Sequence, residues 1–163
     1  MAHVSYAPYV FEAPEGWEDR TIAAFFAPAQ PGEVIAPNVV VTREPRRDGD
    51  RLRTHVQRQL LVLAAALAGF DIVESEEIVV AGRHAMQTRV LWTAQNATIE
   101  QTMLHLDPAD EDTSVMTVTC TSSLDAAASI WPVFERLVAS LQPAAQRSPS
   151  GSYAQASAGW AKR

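Results

Sequence analysis

The segment Arg51–Phe70, RLRTHVQRQLLVLAAALAGF, decides the fold, because it predicts a helix around which the rest of the chain is organised. Eighteen residues between Asp50 and Gly69 contain no Gly or Pro and are rich in Leu, Ala, Gln and Arg, which favour helices. Asp50 offers a side-chain acceptor at the helix start, and Gly69 suits the left-handed residue just past the helix end. One apolar face is formed by residues at three- and four-residue steps: Leu52, Val56, Leu60, Leu63 and Leu67.

The second half of this helix is apolar on every side. All residues from Leu60 to Ala68 are apolar, so Leu61 and Val62 lie outside the first stripe. A helix that is apolar all round is expected to be covered all round, and burial of each side chain contributes on the order of 1.5–3 kcal/mol. Nine residues are too few to span a bilayer. The helix is therefore either sandwiched within its own domain or lends one flank to a partner.

Length and composition predict one globular domain at residues 1–141, followed by a disordered tail at 142–163. The chain has 163 residues, of which 47% are hydrophobic and 20% charged. The tail is rich in Ala, Ser, Pro and Gly and has few large apolar residues. A net charge of −6 argues against nucleic acid or anionic lipid as the main partner. The sequence shows neither a leader nor a membrane-spanning segment, so a cytoplasmic location is expected.

Outward from the helix, turn residues divide the chain into strands and one further helix. On the amino-terminal side, β-branched and apolar runs predict strands at Tyr6–Ala13, at a stretch ending at Phe26, and at Asn38–Arg43. After Gly69, four more strands are predicted, followed by a helix from Ser122 or Ser123 to about Leu141. The four strands are Asp71–Val80, His84–Thr93, Thr98–Leu106 and Ser114–Thr121. This order predicts an α+β fold, an antiparallel sheet flanked by two main helices.

One face of the predicted sheet has an unusual composition. It mixes apolar and β-branched side chains with amides and hydroxyls, whereas a solvent face carries more Lys and Glu and a core face carries fewer amides. This mixture favours a surface for an apolar partner that also has hydrogen-bonding groups, such as a helix or an extended peptide. The alternative is that Thr-rich strands are simply good strands. The residues that alternate onto this face include Asn38, Val40, Thr42, Ile99, Gln101, Met103 and His105.

Residues that carry chemistry do not cluster in the sequence. The four histidines lack metal-ligand spacing, and His105 beside Asp107 is typical of a surface pair. Cys120 falls on an apolar alternation, which indicates a small buried side chain. The glycines are isolated in turns, so no phosphate-binding loop or dinucleotide fingerprint is present. We expect no enzymatic activity, no metal and no cofactor.

Several segments resemble the DcrB-related domain family. The run Tyr9-Val10-Phe11 leads through Pro14-Glu15-Gly16 to Trp17-Glu18-Asp19-Arg20-Thr21, as in that family. The order and spacing of later segments agree as well, and the resemblance covers roughly Tyr6 to Leu141. These segments are Asn38–Arg43, Gln59-Leu60, Gly69-Phe70, Gly82-Arg83-His84-Ala85 and Gln101.

The resemblance implies a PsbP/Mog1-like fold and, for a chain without a signal peptide, similarity to the Eag chaperones of type VI secretion. Those proteins dimerise and hold the hydrophobic N-terminal transmembrane helices of effectors until the effectors are loaded on the secretion spike. By this resemblance Trp17, Asp19 and Arg20 are structural. A small-ligand or lipid-binding domain that uses the same concave face is the alternative. The client-binding residues that the resemblance implies are Ile22, Ala24, Asn38, Val40, Thr42, Gln59, Leu63, Ile99 and Gln101.

Overall fold

The computed structural model describes residues 3–6, 9–12, 22–28, 30–107 and 114–142, with side chains from residue 22 onward. Two main helices and a six-stranded antiparallel sheet form the domain, so the predicted α+β class is confirmed. The elements in chain order are β1 His3–Tyr6, β2 Tyr9–Glu12, β3 Ala23–Phe26, β4 Asn38–Pro45, α1 Leu52–Ala66, β5 Asp71–Val80, β6 Arg83–Ala94, β7 Ala97–Leu106, β8 Ser114–Ser123 and α2 Leu124–Ala139.

The six-stranded sheet has the order β3-β4-β8-β7-β6-β5. Strands β5 to β8 form a meander of antiparallel neighbours, and β4 pairs with β8, where Val40 faces Thr119. The short strand β3 forms one edge, and β5 forms the other. The chain reverses between β6 and β7 at Gln95 and Asn96, which both have positive φ, as a two-residue hairpin turn of type I′ requires.

The amino-terminal strand prediction is corrected in its boundaries. One strand was expected at Tyr6–Ala13, but the chain forms the hairpin of β1 and β2, in which Tyr6 pairs with Tyr9. This hairpin is a separate two-stranded sheet.

The two helices cover opposite faces of the sheet. On one face, α1 packs with Leu52, Val56 and Leu60 on Met86 and Val90 of β6 and on Met103 of β7. On the other face, α2 packs Phe134 on residues of β4, β7 and β8 that alternate with the first set. The α2 set includes Val39, Leu104, Val118 and Cys120.

Helix α1 is shorter than the quoted segment and begins differently from the prediction. It ends at Ala66, and Gly69 has φ +63°, the left-handed conformation expected after the helix. Asp50 does not cap the helix, because the N-cap is Arg51 and no side chain caps it. The Asp50 carboxylate instead forms an ion pair with Arg58, two turns into the helix.

Helix α2 starts after Ser123, as predicted, although the serine side chain makes no capping hydrogen bond. Asp125 lies in its first turn, where a carboxylate complements the helix dipole. Pro132 lies inside the helix, and Trp131 packs on Phe134 with ring centroids 5.5 Å apart. Residues 13–21, which include Trp17, Asp19 and Arg20, and the predicted tail beyond residue 142 lie outside the described residues.

Candidate functional site

The apolar flank of α1 is exposed. Leu61 is 72% exposed and Val62 is 64% exposed. One of the two alternatives from the sequence was that the helix is sandwiched within its own domain, with both side chains buried. The sandwiched alternative is therefore wrong for this chain by itself. The physical reason is that α1 lies over β6 and β7 and packs on them through its stripe from Leu52 to Leu63. Among the residues that the structure describes, no further layer covers the sides of α1 that carry Leu61 and Val62.

Beside α1, the face of β8 and β4 forms the floor of a trough. The register places Thr117, Thr119 and Thr121 of β8 opposite Thr42, Val40 and Asn38 of β4. Strand β3 continues this face outward, because Ala24 pairs with Val40 and Phe26 pairs with Asn38. We call this surface the trough: α1 on one side, the β4 and β8 residues as floor, and Ala24 and Phe26 of β3 on the far side.

A cavity of about 450 Å³ lies where α1 meets the trough floor. Residues from the helix and from β4, β7 and β8 contribute to it, so it is built by elements distant in sequence. Its lining mixes apolar, amide, hydroxyl and charged groups: Thr42, Glu44, Pro45, Arg47, His55, Arg58, Gln59, Val62, Leu63, Gln101, Met103, Thr117 and Thr119.

The structure brings four of the nine predicted site residues together in this cavity, namely Thr42, Gln59, Leu63 and Gln101. Asn38, Val40 and Ala24 lie on the same sheet face toward the β3 edge. Ile22 precedes β3 and is exposed. Ile99 shares the alternation of Gln101 but is fully buried, so its side chain belongs to the interior and offers no surface to a client.

Gln59 joins the helix to the sheet through a hydrogen-bonded chain. His105 Nε2 lies 2.8 Å from Gln59 Oε1, and the Gln59 amide nitrogen donates to a carboxylate oxygen of Glu44. The amide oxygen only accepts, so His105 carries its proton on Nε2 in this arrangement. The expectation of a surface pair between His105 and Asp107 is wrong, because His105 is fully buried and Asp107 pairs with Arg46 at 2.6 Å.

Two buried histidines lie side by side beneath the cavity. The rings of His55 and His105 are 6.4 Å apart. Burial lowers the pKa of His105 to about 4, with a smaller contribution from the nearby His55. Burial also lowers the pKa of His55, although Glu44 opposes that shift. Both rings are therefore neutral at pH 7, and each has one nitrogen that donates and one that accepts.

Several buried polar atoms at the cavity have hydrogen-bonding capacity left over. Within the described ranges, both ring nitrogens of His55, Nδ1 of His105 and Oγ1 of Thr117 have no hydrogen-bond partner. His55 and Thr117 line the cavity directly. Such atoms favour an occupant that carries hydrogen-bonding groups as well as apolar surface.

Sequence reasoning missed His55, Val62, Thr117 and Thr119 as site residues. The spacing of the helix residues could have predicted them, because His55, Gln59 and Val62 follow three- and four-residue steps and must share a face. For β8, the threonines at alternate positions on one face could have predicted Thr117 and Thr119. What the sequence did not show is that α1 lies beside β8 rather than over it.

The chain belongs to the DcrB family. The family model for DcrB matches residues 10–140, most of the 163-residue chain, and confirms the expected membership. None of the curated proteins matches the chain by sequence.

Solved structures share the fold. The Pseudomonas aeruginosa protein of unknown function PA94 has a TM-score of 0.75 at 19% identity, over 89% of this chain and 98% of that one. LpqN of Mycobacterium tuberculosis, which is involved in cell envelope biogenesis, has a TM-score of 0.54 at 11% identity, over 74% and 83%. CyanoP, the PsbP of Synechocystis sp. PCC 6803, has a TM-score of 0.50 at 14% identity, over 85% and 89%. These likenesses establish the PsbP-like fold.

Neither α1 nor α2 is long and apolar enough to cross a lipid bilayer. Across the part of the chain that the structure describes, His, Cys, Asp and Glu side chains form no group of three or more suited to hold a metal ion.

Proposed function

We propose that this protein is a cytoplasmic, non-enzymatic chaperone or adaptor that binds and shields hydrophobic N-terminal transmembrane helices of type VI secretion effectors before they are loaded on the secretion spike. One observation carries the proposal: Val62, an exposed apolar side chain of α1, lies beside a trough whose floor carries amides and hydroxyls. Membership of the DcrB family and the resemblance of the sequence to Eag chaperones support the same role.

The width of the trough suits a helix. Neighbouring strands lie about 4.8 Å apart, so β7 and β3 are separated by roughly 14 Å across β8 and β4. Packed helices have interaxial distances of about 8–10 Å. Because α1 lies over β6 and β7, a second helix packed on its exposed flank would lie over β8 and β4. Those are the strands that form the trough floor.

Burial of the exposed flank supplies the driving force. Val62 and Phe26 are each more than 60% exposed, and a client helix in the trough would cover them. Each apolar side chain removed from water contributes about 1.5–3 kcal/mol before the cost of ordering the client is subtracted. A client helix made for lipid gains at the same time, because its own apolar residues leave water.

The polar groups of the cavity and of the trough floor suit a membrane-spanning client. Gln101 is half-buried in the cavity, and its amide has no hydrogen-bond partner among the described side chains. Thr119 and Thr42 lie on neighbouring strands of the same floor. Hydrogen bonds between helices in membranes contribute about 0.6–2 kcal/mol each, so these groups can replace contacts that a client makes within its own bundle.

Pairing of two copies is part of the proposal. The edge strand β3 exposes Phe25 at 59% and Phe26 at 68%. Unpaired edges and exposed aromatic side chains favour association with another chain. A homodimer would present two troughs to the helices of one client.

The proposal is tested by co-expressing the full chain with the N-terminal region of a type VI effector that carries apolar helices. We expect a higher effector level, co-purification of the two proteins and a dimer of this chain by light scattering. The matched control is the same effector with its apolar helices deleted. An effector level that is unchanged by the chain, without co-purification, would contradict the proposal.

A second candidate function rests on the cavity itself. Its volume of about 450 Å³ falls within the range of small-molecule sites, and His55 and Thr117 offer buried polar atoms to a ligand. A small-ligand or lipid-binding role on the same face would give a monomer with a bound small molecule in native mass spectrometry. A dimer without such a molecule favours the chaperone.

A further inference from the structure

A second cavity, of about 680 Å³, lies on the opposite face of the sheet from the trough. Strands β5, β6 and β7 form its floor, and the first two turns of α2 form its wall. The proposed client-binding surface uses the α1 face, so this cavity is independent of it.

The floor of this cavity is acidic. Glu74 and Glu76 of β5 and Glu100 of β7 line it together with one cation, Arg89 of β6. Arg89 approaches Glu74 at 3.6 Å and Glu100 at 3.5 Å, which is too long for a good hydrogen bond. Glu76 has no cationic partner among the side chains that the structure describes. Three carboxylates with one guanidinium leave an excess of negative charge for an occupant to balance.

The wall of the cavity is apolar and partly aromatic. Leu124 is 43% exposed, and the half-buried Trp131 lies two turns further along α2. An occupant that fits both surfaces carries a cationic group for the floor and an aromatic or apolar side chain for the wall. A cation close to Trp131 would also gain from the ring face.

Segment 143–163 of this chain has that composition. It contains Arg147, Lys162 and Arg163 and no Asp or Glu, whereas the other residues of the protein comprise ten basic and nineteen acidic ones. Its most apolar large residue, Trp160, lies two and three positions before the two cations. We propose that segment 143–163 docks in this cavity, with Trp160 on the α2 wall and Lys162 and Arg163 on the glutamates.

The segment reaches the cavity without strain. Helix α2 rises about 1.5 Å per residue, so its last residue, Ala139, lies roughly 22 Å from Leu124. The eighteen residue-to-residue steps from Gln142 to Trp160 span up to about 60 Å when extended. A tether of this length gives an effective concentration in the millimolar range, so even a weak contact is substantially occupied.

NMR relaxation of the full chain tests the proposal. At low salt we expect the Trp160 amide to have an order parameter close to that of the folded domain, and to fall below about 0.6 in Lys162→Glu/Arg163→Glu. Glu76→Lys should release the segment in the same way. Glu76 is exposed on an edge strand, so this variant is expected to stay folded. Combining all three substitutions should restore part of the ordering.

Asp48→Lys is the matched control, because Asp48 is exposed and does not line the cavity. It should leave the order parameter of Trp160 unchanged. Raising salt to 1 M should release the segment, since the Debye length falls to about 3 Å. A Trp160 amide that is already flexible in the unmodified chain would overturn the proposal. Ordering that depends on protein concentration would also overturn it, because the segment would then dock on a second copy.

Discussion

The side-chain oxygen of Gln59 lies 2.8 Å from Nε2 of the fully buried His105, and this contact ties α1 to β7 beside the trough. Gln59 also donates to Glu44 of β4. Its amide therefore holds the helix over the sheet, and only part of its hydrogen-bonding capacity is left for a client. The amide of Gln101 has no hydrogen-bond partner among the described side chains, so more of its hydrogen-bonding capacity is available to a client.

The two glutamines should respond differently to loss of the amide. Gln59→Leu leaves the buried His105 N–H unpaired, so we expect the free energy of unfolding to fall by about 1–3 kcal/mol. Gln101→Leu, the matched control, should change it by no more than about 0.5 kcal/mol. Urea denaturation at pH 7.5 measures both values. Equal losses in the two variants would show that the Gln59–His105 contact does not support the fold.

Acid should destabilise the protein through His105. The pKa of His105 is lowered from 6.5 to about 4 in the folded chain, so the unfolded chain binds a proton at a higher pH than the folded chain. Stability is therefore at its full value above about pH 6.5 and falls as the pH drops toward 4, by up to about 3 kcal/mol. The lowered pKa of His55 acts in the same direction.

Urea denaturation between pH 7.5 and pH 4.5 checks this dependence. His105→Asn should remove much of the slope, whereas His84→Gln should keep it, because His84 is exposed. If the stability of His105→Asn changes with pH as steeply as that of the unmodified chain, other groups cause the pH dependence.

Cys120 should be unreactive in the folded protein. It is buried on the α2 face, and burial raises its pKa to about 11, with a smaller contribution from Glu100. At pH 8 only about one thiol in a thousand is the reactive thiolate. A disulfide reagent should therefore label Cys120 only after denaturant is added. Rapid labelling of the native chain would contradict the burial of this strand.

Gly69 should tolerate a side chain less well than Gly82. Both have positive φ, +63° and +74°, but a Cβ at Gly69 would lie 2.8 Å from Oγ1 of Thr93, whereas one at Gly82 meets nothing within 4 Å. We expect Gly82→Ala to cost about 1–2 kcal/mol of stability and Gly69→Ala about 2–4 kcal/mol. Thermal denaturation compares them. Adding Thr93→Ala should reduce the stability loss of Gly69→Ala to that of Gly82→Ala. If the added substitution does not restore stability, the clash with Thr93 is not the cause of the loss.

From β3 onward, the sequence was sufficient to predict the helices and strands and their order. Period-two alternation and turn residues define β5 to β8, and the positive φ of Gly69 was predictable because glycine adopts it without steric cost. These signals are local, since each arises from a residue and its near neighbours. The antiparallel arrangement then follows from the short connections between consecutive strands.

The layering of the domain was not predictable in the same way. The apolar run from Leu60 to Ala68 predicts burial from local composition, yet Leu61 and Val62 are exposed because α1 packs on the sheet through its Leu52–Leu63 stripe. Asp50 has a capping side chain by type, yet it pairs with Arg58. In both cases the outcome depends on contacts between segments that the sequence does not place.

The candidate site shows the same division. Alternation along β4 and β7 correctly places Thr42 and Gln101 on one face, and the structure brings them together with Gln59 and Leu63. Alternation also places Ile99 on that face, but only the three-dimensional packing shows that Ile99 is fully buried. The hydrogen-bonded chain from Glu44 through Gln59 to His105 joins three elements, and no spacing in the sequence indicates it.

Capture of an effector by variants of α1 tests the central claim most directly. Val62 is 64% exposed and lines the cavity, so Val62→Asp should leave the fold intact and place a charge against a client helix. Gln57→Asp is the matched control, because Gln57 is exposed on α1 and does not line the cavity. We predict that Val62→Asp lowers the amount of co-purified effector by about tenfold or more, whereas Gln57→Asp retains it. Equal capture by both variants and the unmodified chain would contradict the claim that the trough binds the client.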